Sequence, residues 1–414
     1  MLFLSVWYSK EVIRLQIRYI QDNIEYGIQY DWKHIRKEYK KLNCPEDVYD
    51  PTLCPLETAK YFVGNSERNV GKTTNWLLLG MIMNRDYRTI IQYVRQTENM
   101  IMPKSLRDLF STILKYKYIE KITDGQYNSV VYKSRRYYYA LVDDAGKVIE
   151  QAAEHFMFCC DIEKEMDLKS SYNAPTGDLI IFDEFIGKYY YPNEFVHFCD
   201  LTKTIIRGRR SPIIAMLANT INPHSIYYNE LEIYDDIQQM HIGQHKLITT
   251  EKGTKIYVEL IGVTVEKKRK NTIINQLFYG FKNTMLGSIT GDDWAVKCYQ
   301  HIPEVPDDTD DDIQHVEVIS RQVYIFHNSK LVRLDIVLHY TLGICVYCHW
   351  ATRSYEDSII LTAADRQDSR YLYKLGTGDL ERFLKQMKSE NRFYYASNDV
   401  GSFIDSYLSY IAKL

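Results

Sequence analysis

The sequence predicts an α/β protein in which a large, mostly parallel, helix-covered sheet is followed by a second, smaller α/β domain. Through about residue 265, short apolar runs typical of buried strands alternate with runs whose apolar residues recur at helical spacing. An acidic stretch, PEVPDDTDDD, then precedes the C-terminal part of the chain. At 414 residues the chain is also too long for one ordinary core, which favours two or three domains.

The first predicted domain, residues 1–265, begins with leading helices over residues 1–50, where the apolar side chains follow helical spacing. A strand, a loop and a helix are then predicted in ETAKYFVGNSERNVGKTTNWLLLGMIMNR. The next strand is TIIQYVRQ, and a further helical pattern surrounds SLRDLFSTILK. This alternation is the one expected of a parallel sheet with helices on its faces.

Between residues 118 and 150 the pattern changes to short strands broken by Asp-Gly and Ala-Gly turns, which predicts an inserted antiparallel hairpin region. Its predicted strands are YIEKITD, NSVVYKSRR, YYYALVDD and KVIE. The parallel alternation resumes with the strand LIIFDEF, a helix from Asn193 to Ile206 and the strand PIIAMLANT. We expect KIYVELIGV to form the edge of the resulting sheet, which would have at least about five strands.

Residues 266–313 are predicted to form a linker or lid, because they contain the charge run EKKRK, a helical stretch and the acidic run. Residues 314–414 are predicted to form the small second domain, with strands in VYIFHNSKLVRLDIVLHY, GICVYCHW and SIILTAAD and helices in DLERFLKQMKS and SFIDSYLSYI. Cys345, Cys348 and His349 match a haem-attachment string or half of a zinc site. No second Cys/His pair stands nearby in the sequence at zinc spacing, so we interpret GICVYCHW as a core strand.

Composition narrows the classes of function. With 45% hydrophobic and 25% charged residues, the chain is typical of a folded globular protein. The net charge of -3 argues against a protein coated in basic surface, so any contact with nucleic acid is expected to be local. The N-terminal apolar run is too short for a signal peptide or a membrane span, and the eight scattered cysteines are expected to be reduced and buried.

The loop after the first strand, SERNVGKTT, carries the main chemical signal. In the pattern GxxxxGK[ST], backbone N–H groups and a helix N-terminus hold phosphate oxygens, the lysine reaches the β/γ-phosphates and the hydroxyl binds Mg²⁺. Ser66 stands where the pattern has its first glycine, while Gly71, Lys72 and Thr73 match it. Because a strand is predicted before the loop and a helix from Gly71 onward, we interpret it as a phosphate-binding P-loop (Walker A).

A second signal is the apolar run Leu179 to Phe182, which ends in Asp183 and Glu184 and has the Walker B form. A carboxylate at the end of such a strand can bind the Mg²⁺ hydration shell, and the next one can polarise the attacking water. An acid pair closing a strand is also common as a turn or helix N-cap, and this alternative stays open for the pair taken alone. The expected ATP-binding residues are Ser66, Arg68, Asn69, Val70, Gly71, Lys72, Thr73, Thr74 and Asp183, and the expected Mg²⁺ ligands are Thr73 and Asp183.

Two further features lie near these motifs in the chain. Asn219 closes the strand PIIAMLANT, where a polar side chain can sense the γ-phosphate, although asparagine before a turn is ordinary. Arg207, Arg209 and Arg210 follow a predicted helix, where cations complement the helix dipole. In an oligomeric ATPase the same position can project an arginine into the neighbouring subunit's site, and Arg207 is slightly favoured for that role.

These residues together resemble the viral large terminase and packaging ATPases. The altered Walker A with Arg68, the LIIFDE strand, the arginine-rich stretch and the Asn219 strand follow in that family's order, and the short length and small C-terminal domain resemble the phi29-like bacteriophage DNA encapsidation ATPases. The resemblance implies a P-loop NTPase fold of the additional-strand, catalytic-glutamate type. It also implies that Glu184 is catalytic, that Arg68 acts near the γ-phosphate in cis, that one of Arg207, Arg209 or Arg210 acts in trans, and that Asn219 couples hydrolysis to movement.

The resemblance further implies an ATP- and Mg²⁺-dependent motor that translocates double-stranded viral DNA. It would form a homomeric ring, expected to be a pentamer, on the portal or connector of the prohead, and whether a scaffold RNA joins the ring is left open. Such a motor is expected in the host cytoplasm and transiently on the prohead, not in the mature virion, and without a membrane partner. The alternatives are a terminase with an active metal-dependent nuclease and a nucleotide-binding scaffold that does not hydrolyse ATP.

The second domain and the DNA contacts are the least determined parts of the sequence. The resemblance implies a degenerate RNase H-like nuclease domain, and Asp335, Asp365 and Asp399 form no obvious acid cluster for two metals, which favours an inactive domain used for docking. Surface carboxylates would explain these aspartates equally well. The candidate DNA-binding residues are Lys104, Arg107, Lys133, Arg135 and Arg136, although a solvated basic turn beside a buried tyrosine strand fits the last three as well.

Overall fold

The computed structural model describes residues 30–45, 48–66, 70–163, 178–186, 194–206, 212–219, 225–262, 299–300, 316–327, 330–340, 342–362, 371–373 and 379–411. The predicted domain limits at 265/266 and 313/314 lie outside these ranges, as do the helices predicted within residues 1–29 and in NTIINQLFYGFKN. Two sheets are present among the described residues. One is built from residues 61–260 and the other from residues 316–395.

The first sheet is built from ten short strands. They are β1 (Tyr61–Asn65), β2 (Ile91–Arg95), β3 (Ser129–Lys133), β4 (Arg136–Val142), β5 (Val148–Gln151), β6 (Met157–Asp161), β7 (Leu179–Asp183), β8 (Ile213–Ala218), β9 (His245–Thr249) and β10 (Lys255–Leu260). The helices in this part of the chain are α1 (Trp32–Lys41), α2 (Lys72–Tyr87), α3 (Ser111–Lys115), α4 (Tyr118–Ile122), α5 (Glu194–Ile206), α6 (Ile226–Glu230) and α7 (Tyr234–Gln239).

The strand order is β3-β4-β6-β2-β7-β8-β1-β10-β9, with β5 paired to β4. From β6 through β10 every neighbouring pair is parallel. Antiparallel pairs occur where β4 meets β6, within the hairpin strands β3 to β5, and where β9 meets β10. The predicted mostly parallel α/β sheet is therefore confirmed.

Helices bury both faces of this sheet. Along β7, Leu179 and Ile181 pack into the core that contains Trp76 of α2, whereas Ile180 and Phe182 pack into the core on the opposite face. Alternate side chains of a strand point to opposite faces, so a strand that is apolar at every position must be covered on both sides. The continuous apolar run before Asp183 thus follows from a central position in a three-layer structure.

Two expectations about the first sheet are wrong, and one pairing was not foreseen. Residues 118–122 form the helix α4 and not a strand, because Tyr118, Ile119 and Ile122 reach the core together at helical spacing. Lys255–Leu260 is not at the edge, because β9, which the sequence interpretation missed, pairs outside it. The predicted antiparallel hairpin strands β3 to β5 are present, and they join the main sheet because β4 pairs with β6, a second strand that the sequence interpretation missed.

The leading helix α1 packs against α2. Asp31 caps α1 by accepting a hydrogen bond from the backbone N–H of His34 at 2.9 Å. On the buried face, the hydroxyl of Tyr39 donates to Oδ1 of Asn75 in α2 at 2.6 Å. The N-terminal segment therefore supports the first turns of α2, which follow directly on the predicted P-loop.

The second sheet has the order β15-β14-β11-β12-β13-β16. Its strands are β11 (Val316–His327), β12 (Lys330–His339), β13 (Gly343–Ala351), β14 (Ile359–Thr362), β15 (Tyr371–Tyr373) and β16 (Phe393–Tyr395), and its helices are α8 (Asp379–Ser389) and α9 (Asn398–Ile411). Strands β11 to β13 form an antiparallel meander, whereas β14, β15 and β16 each join in parallel. Phe403, Ile404 and Tyr407 of α9 pack on one face of this sheet.

GICVYCHW forms strand β13, as predicted, with Cys345 and Cys348 fully buried. The described cysteines form no disulfide; Cys199 is exposed, contrary to the expectation of burial. Within the described parts of the chain, no helix combines the length and apolar character needed to span a membrane.

Candidate active site

Four parallel strands in the order β2, β7, β8 and β1 bring their carboxyl ends to one edge of the first sheet. Ser66 follows β1, Asp183 ends β7, Asn219 follows β8 and Arg95 ends β2. Ligands of open α/β sheets bind outside the carboxyl ends of the strands, because the loops there converge. The sheet therefore gathers residues that are far apart in the chain at a single edge.

Lys72 is buried at this edge, at the first position of α2. Its ammonium donates a hydrogen bond to Oδ1 of Asn219 at 3.0 Å and another to the hydroxyl of Ser66. Burial lowers the pKa of Lys72 to about 8, although Asp183 and Glu184 act in the opposite direction. A desolvated cation on a helix N-terminus is suited to binding a negatively charged ligand.

Thr73 and Asp183 are in direct contact. The threonine hydroxyl donates to Oδ1 of Asp183 at 2.9 Å, so the start of α2 and the end of β7 are joined by one hydrogen bond. Hydroxyl and carboxylate oxygens are among the ligands that Mg²⁺ uses when it is also bound to substrate phosphates. The two residues therefore fit the predicted magnesium site.

The loop before α2 depends on a left-handed glycine. Gly71 has φ of 84°, and a Cβ atom built there would lie 2.8 Å from Nδ2 of Asn75 and 3.3 Å from Cβ of Val48. The carbonyl oxygen of Gly71 accepts from both the backbone N–H and the side-chain amide of Asn75, each at 2.9 Å. Any other residue would be strained at this position, and its Cβ atom would collide with the side chains of Asn75 and Val48.

Glu184 also has a left-handed backbone, with φ of 54°. Its side chain is 40% exposed, so it is open to solvent while Asp183 beside it is buried. The amide Nδ2 of Asn219 donates to Oε1 of Glu184 at 3.3 Å, while Oδ1 of the same amide accepts from Lys72. Asn219 therefore bridges the lysine and the glutamate.

Two residues of this site were missed by the sequence interpretation, Tyr93 and Arg95 on β2. The Tyr93 hydroxyl donates to Oδ2 of Asp183 at 2.7 Å, and Nη1 of Arg95 donates to the same oxygen at 2.9 Å. Arg95 also pairs with Glu184 through Nη2. The signal in the sequence was the polar pair at i and i+2 in TIIQYVRQ, on one face of a strand, but the motifs do not say that β2 lies beside β7.

Several predicted site residues fall outside the described ranges. They are Arg68 and Asn69 of the loop and the arginines Arg207, Arg209 and Arg210 after α5. Val70 is described and buried, and its carbonyl accepts from the backbone N–H of Tyr49 at 2.9 Å. Thr74 lies in the first turn of α2.

The candidate DNA-binding residues lie in two different settings. Lys104, Arg107 and Lys133 are exposed. Arg135 instead donates to Glu98 at 2.7 Å and to the buried Asp161 at 3.3 Å, and Arg136 lies over the ring of Phe158 at 5.4 Å. Tyr137 and Tyr139, which follow in KSRRYYY, are buried among core aromatic rings.

Asp335 is buried on β12 and paired with cations. Nε of Arg333 donates to Oδ1 at 2.7 Å, and Nε2 of His349 lies 3.1 Å from Oδ2. Burial raises the pKa of Asp335, but His349 and Arg333 lower it more, so the net pKa is below the ordinary value. Asp399 lies exposed in the first turn of α9, and Asp365 is outside the described ranges. Among the described residues, no group of three or more His, Cys, Asp or Glu side chains is arranged to hold a metal ion.

This chain is similar to known proteins in its structure. A scan against protein-family models finds no match, and a search of curated proteins finds none either. Among solved structures, the Phi-28 gp11 DNA packaging motor is similar with a TM-score of 0.51 and 14% identity, over 89% of this chain and 98% of that one.

Two further solved structures match with lower scores. The packaging motor assembly of bacteriophage Phi-29 matches with a TM-score of 0.47 and 15% identity, over 86% of this chain and 97% of that one. The large terminase of a thermophilic bacteriophage matches with a TM-score of 0.34 and 11% identity, over 90% and 86% of the two chains. At the level of the fold, the similarity to the Phi-28 motor confirms the resemblance to phi29-like packaging ATPases that the sequence motifs predicted.

Proposed function

We propose that this protein is an ATPase that drives double-stranded DNA into a preformed viral capsid through its portal. The observation that carries the proposal is the convergence of Lys72, Thr73, Asp183, Glu184 and Asn219 at the carboxyl edge of one parallel sheet. These are the residue types that bind a magnesium-bound triphosphate and activate water. The fold shared with the Phi-28 packaging motor supports the same function.

In the proposed site, the start of α2 holds the triphosphate. Lys72 would exchange its hydrogen bonds to Ser66 and Asn219 for phosphate oxygens, and the backbone of residues 70–74 would supply N–H groups. Thr73 and Asp183 would hold Mg²⁺, which when bound neutralises charge on the β- and γ-phosphates. The sequence difference at Ser66 is compatible with this role, because its hydroxyl already contacts the lysine ammonium.

Hydrolysis in this proposal depends on Glu184. Its half-exposed carboxylate would accept a proton from the attacking water or orient that water. Asn219 contacts both Glu184 and Lys72. When Lys72 binds phosphate and gives up its hydrogen bond to Asn219, the contact between Asn219 and Glu184 would therefore change as well. Arg68 would act near the γ-phosphate in the same subunit.

The motor would work as a homomeric ring, expected to be a pentamer, on the portal or connector of the prohead. One of Arg207, Arg209 or Arg210 would enter the site of the neighbouring subunit. Lys104, Arg107 and Lys133, which are exposed, are better placed to touch a DNA backbone than Arg135, which is held by two carboxylates. The protein would act in the host cytoplasm and transiently on the prohead, without entering the mature virion.

We propose that the second sheet belongs to an inactive, nuclease-like domain used for docking. The supporting observation is Asp335, whose two oxygens are occupied by Arg333 and His349. A two-metal nuclease needs several free carboxylates at one place, and a carboxylate bound to an arginine fork is a poor start for one. The domain would then contribute binding surface and not chemistry.

The proposal is tested by ATP hydrolysis and DNA movement in one preparation. Purified protein is assayed for ATP hydrolysis with and without double-stranded DNA and portal, and for displacement of a third strand annealed to that DNA. We expect DNA and portal to stimulate hydrolysis and the third strand to be removed only with ATP, and we expect Lys72→Ala to abolish both. Hydrolysis without any strand displacement would contradict the translocase.

The same preparation separates the two alternative functions. Metal-dependent nicking of a plasmid that disappears in Asp335→Ala would favour a terminase with an active nuclease. Tight nucleotide binding without turnover, even with DNA and portal, would favour a scaffold that does not hydrolyse ATP.

A further inference from the structure

The carboxyl end of β2 holds three successive residues at the end of β7, Asp183, Glu184 and Phe185, through four hydrogen bonds. Tyr93 and Arg95 bind Asp183, Arg95 also binds Glu184, and the side-chain amide of Gln96 donates to the carbonyl oxygen of Phe185 at 3.3 Å. Gln96 also donates to the fully buried Glu194 at the start of α5, at 2.9 Å. Strand β7 lies between β2 and β8 in the sheet, and the segment that carries both acids is therefore held on its β2 side.

We propose that Arg95 and Tyr93 are positioning residues for the two acids, Arg95 by holding Asp183 and Glu184 together and Tyr93 by orienting Asp183. This inference deepens the proposed function and rests on it. Neither side chain is needed to touch ATP. Each acts through a carboxylate: Asp183, which would hold Mg²⁺, or Glu184, which would act on the attacking water.

The contacts of Asp183 divide its two oxygens between two tasks. Oδ2 accepts from both Tyr93 and Arg95, whereas Oδ1 accepts from Thr73. Carboxylates that bind metals are usually held by a second hydrogen bond on the oxygen turned away from the metal, and loss of that bond weakens metal binding. Tyr93 and Arg95 thus turn Oδ1 toward Thr73 and the proposed magnesium site.

The ion pair between Arg95 and Glu184 affects the direction of the Glu184 side chain. Successive residues of a strand point to opposite faces, so an extended Glu184 would direct its carboxylate away from Asp183. The left-handed backbone at Glu184 ends the strand and allows both carboxylates to meet one guanidinium. A left-handed backbone is unfavourable for a residue with a side chain. The ion pair with Arg95 helps to hold the glutamate there.

An arginine is required for this arrangement. Its planar fork can bind two carboxylates at once through different nitrogen atoms, whereas a lysine ammonium is a single compact charge. The Arg95 side chain is only 14% exposed, and burial lowers its pKa, but Tyr93, Asp183 and Glu184 raise the pKa more, so the group stays cationic. One fixed positive charge therefore lies between two adjacent negative charges.

The test compares Arg95→Lys and Tyr93→Phe with two matched controls. Arg85→Lys is the arginine control, because Arg85 also binds two carboxylates, Glu38 at 3.0 Å and Asp86 at 2.6 Å, at the far end of α2. Tyr132→Phe is the tyrosine control, because its hydroxyl donates to the carbonyl of Ile101 at 2.7 Å, away from the site. For each protein, ATP affinity is measured by calorimetry with Mg²⁺ and with EDTA, and kcat and KM are measured separately.

We expect Arg95→Lys to lower kcat about 10- to 100-fold and to reduce the Mg²⁺-linked gain in ATP affinity by a similar factor. Tyr93→Phe should reduce the Mg²⁺-linked gain about 10-fold and affect kcat less, because Glu184 keeps its partner. ATP affinity in EDTA should stay the same in both variants. A purely structural role would instead lower the unfolding temperature and leave the Mg²⁺-linked gain as it is in the controls.

The inference is overturned if Arg95→Lys keeps the wild-type Mg²⁺-linked gain and kcat, or changes them no more than Arg85→Lys does. If Arg95→Lys does not fold, Tyr93→Phe decides, and an unchanged Mg²⁺-linked gain in that variant also overturns it. Failure of the proposed function looks different. In that case the wild-type protein itself would neither bind nor hydrolyse ATP.

Discussion

Asp183 in the first sheet and Asp335 in the second are both buried aspartates bound by an arginine, yet their surroundings differ. Oδ1 of Asp183 faces the hydroxyl of Thr73, and the neighbouring Glu184 is half-exposed. Both oxygens of Asp335 are bound by Arg333, and His349 adds a further contact. Oδ1 of the first aspartate accepts from a hydroxyl, a group that can itself bind Mg²⁺, whereas both oxygens of the second are bound by cationic or imidazole side chains.

The difference shows what an arginine–aspartate pair can mean. At Asp335 the ion pair neutralises a buried charge, so its contribution is to the stability of the fold. At Asp183 and Glu184 the ion pair leaves oxygens directed toward Thr73 and Asn219, which are the groups assigned to Mg²⁺ and ATP in the proposed site. The same residue types thus serve structure in one sheet and proposed chemistry in the other.

The difference between the two aspartates is tested most strongly by removing the carboxylate of Asp335. Asp335→Ala leaves Arg333 without its carboxylate partner in a half-buried position, and we expect the free energy of unfolding of the second sheet to fall by about 2 kcal/mol. That is below the value for a fully buried pair because Arg333 and His349 keep some contact with solvent. Denaturant unfolding measures the loss, and ATP hydrolysis should be unchanged. Lost hydrolysis with intact stability would reverse the roles assigned to the two aspartates.

The same pair gives a dependence on pH. Because the folded pKa of Asp335 lies below the ordinary value, its ion pair contributes stability above about pH 4. That contribution is lost as pH falls through the folded pKa. Wild type and Asp335→Ala should therefore approach each other in stability below about pH 4. A constant difference down to about pH 2 would contradict the ion pair as its source.

A smaller effect is expected at the glycine that shapes the open site. Gly71→Ala places a methyl group against Asn75 and Val48 in a left-handed backbone, so it should lower stability by more than about 1 kcal/mol and weaken ATP binding. Gly146→Ala is the matched control, because Gly146 has φ of 77° but no atom within 4 Å of an added Cβ. It should show the backbone effect alone, with normal ATP binding. Equal ATP affinities in both variants would mean that the loop geometry is not needed.

The smallest expected effect is the uptake of a proton by Lys72 when ATP binds. With a pKa of about 8, Lys72 is partly neutral at about pH 8.5, and a bound triphosphate would restore its charge. ATP binding should therefore take up a fraction of a proton at about pH 8.5 and none from this group at about pH 6.5. Calorimetry in buffers of different ionisation enthalpy measures the uptake. Lys72→Arg should abolish it, since arginine stays charged; equal uptake by that variant would assign the proton elsewhere.

The parts of the site that the sequence could predict are those written in contiguous motifs. Lys72 and Thr73 follow a glycine at a strand-to-helix loop, and Asp183 and Glu184 close an apolar strand, so local patterns find them. Tyr93 and Arg95 became part of the site because β2 lies beside β7 in the sheet. Chain order alone does not determine that adjacency.

The fold shows the same division between local and tertiary signals. Strand β7, which is apolar at every position before Asp183, was predicted, whereas β6 was missed although all its residues are buried. Strand β9 is exposed at all positions except Ile248, so it has little apolar signal and was missed. Helix α4 is so short that its buried residues could be read as a strand until their common contact with the core is known. For Asp335, the partners Arg333 and His349 come from two strands whose register the sequence does not state.

The most direct test of the central claim is a comparison of wild type and Glu184→Gln in ATP binding and single-turnover hydrolysis. The variant keeps the shape of the side chain and, on this account, leaves Lys72, Thr73 and Asp183 to bind Mg²⁺ and ATP. We predict that both proteins bind ATP with similar affinity and that the variant hydrolyses it at least about 100-fold more slowly. Hydrolysis by Glu184→Gln at the wild-type rate would contradict the assignment of this sheet edge as the site of ATP hydrolysis.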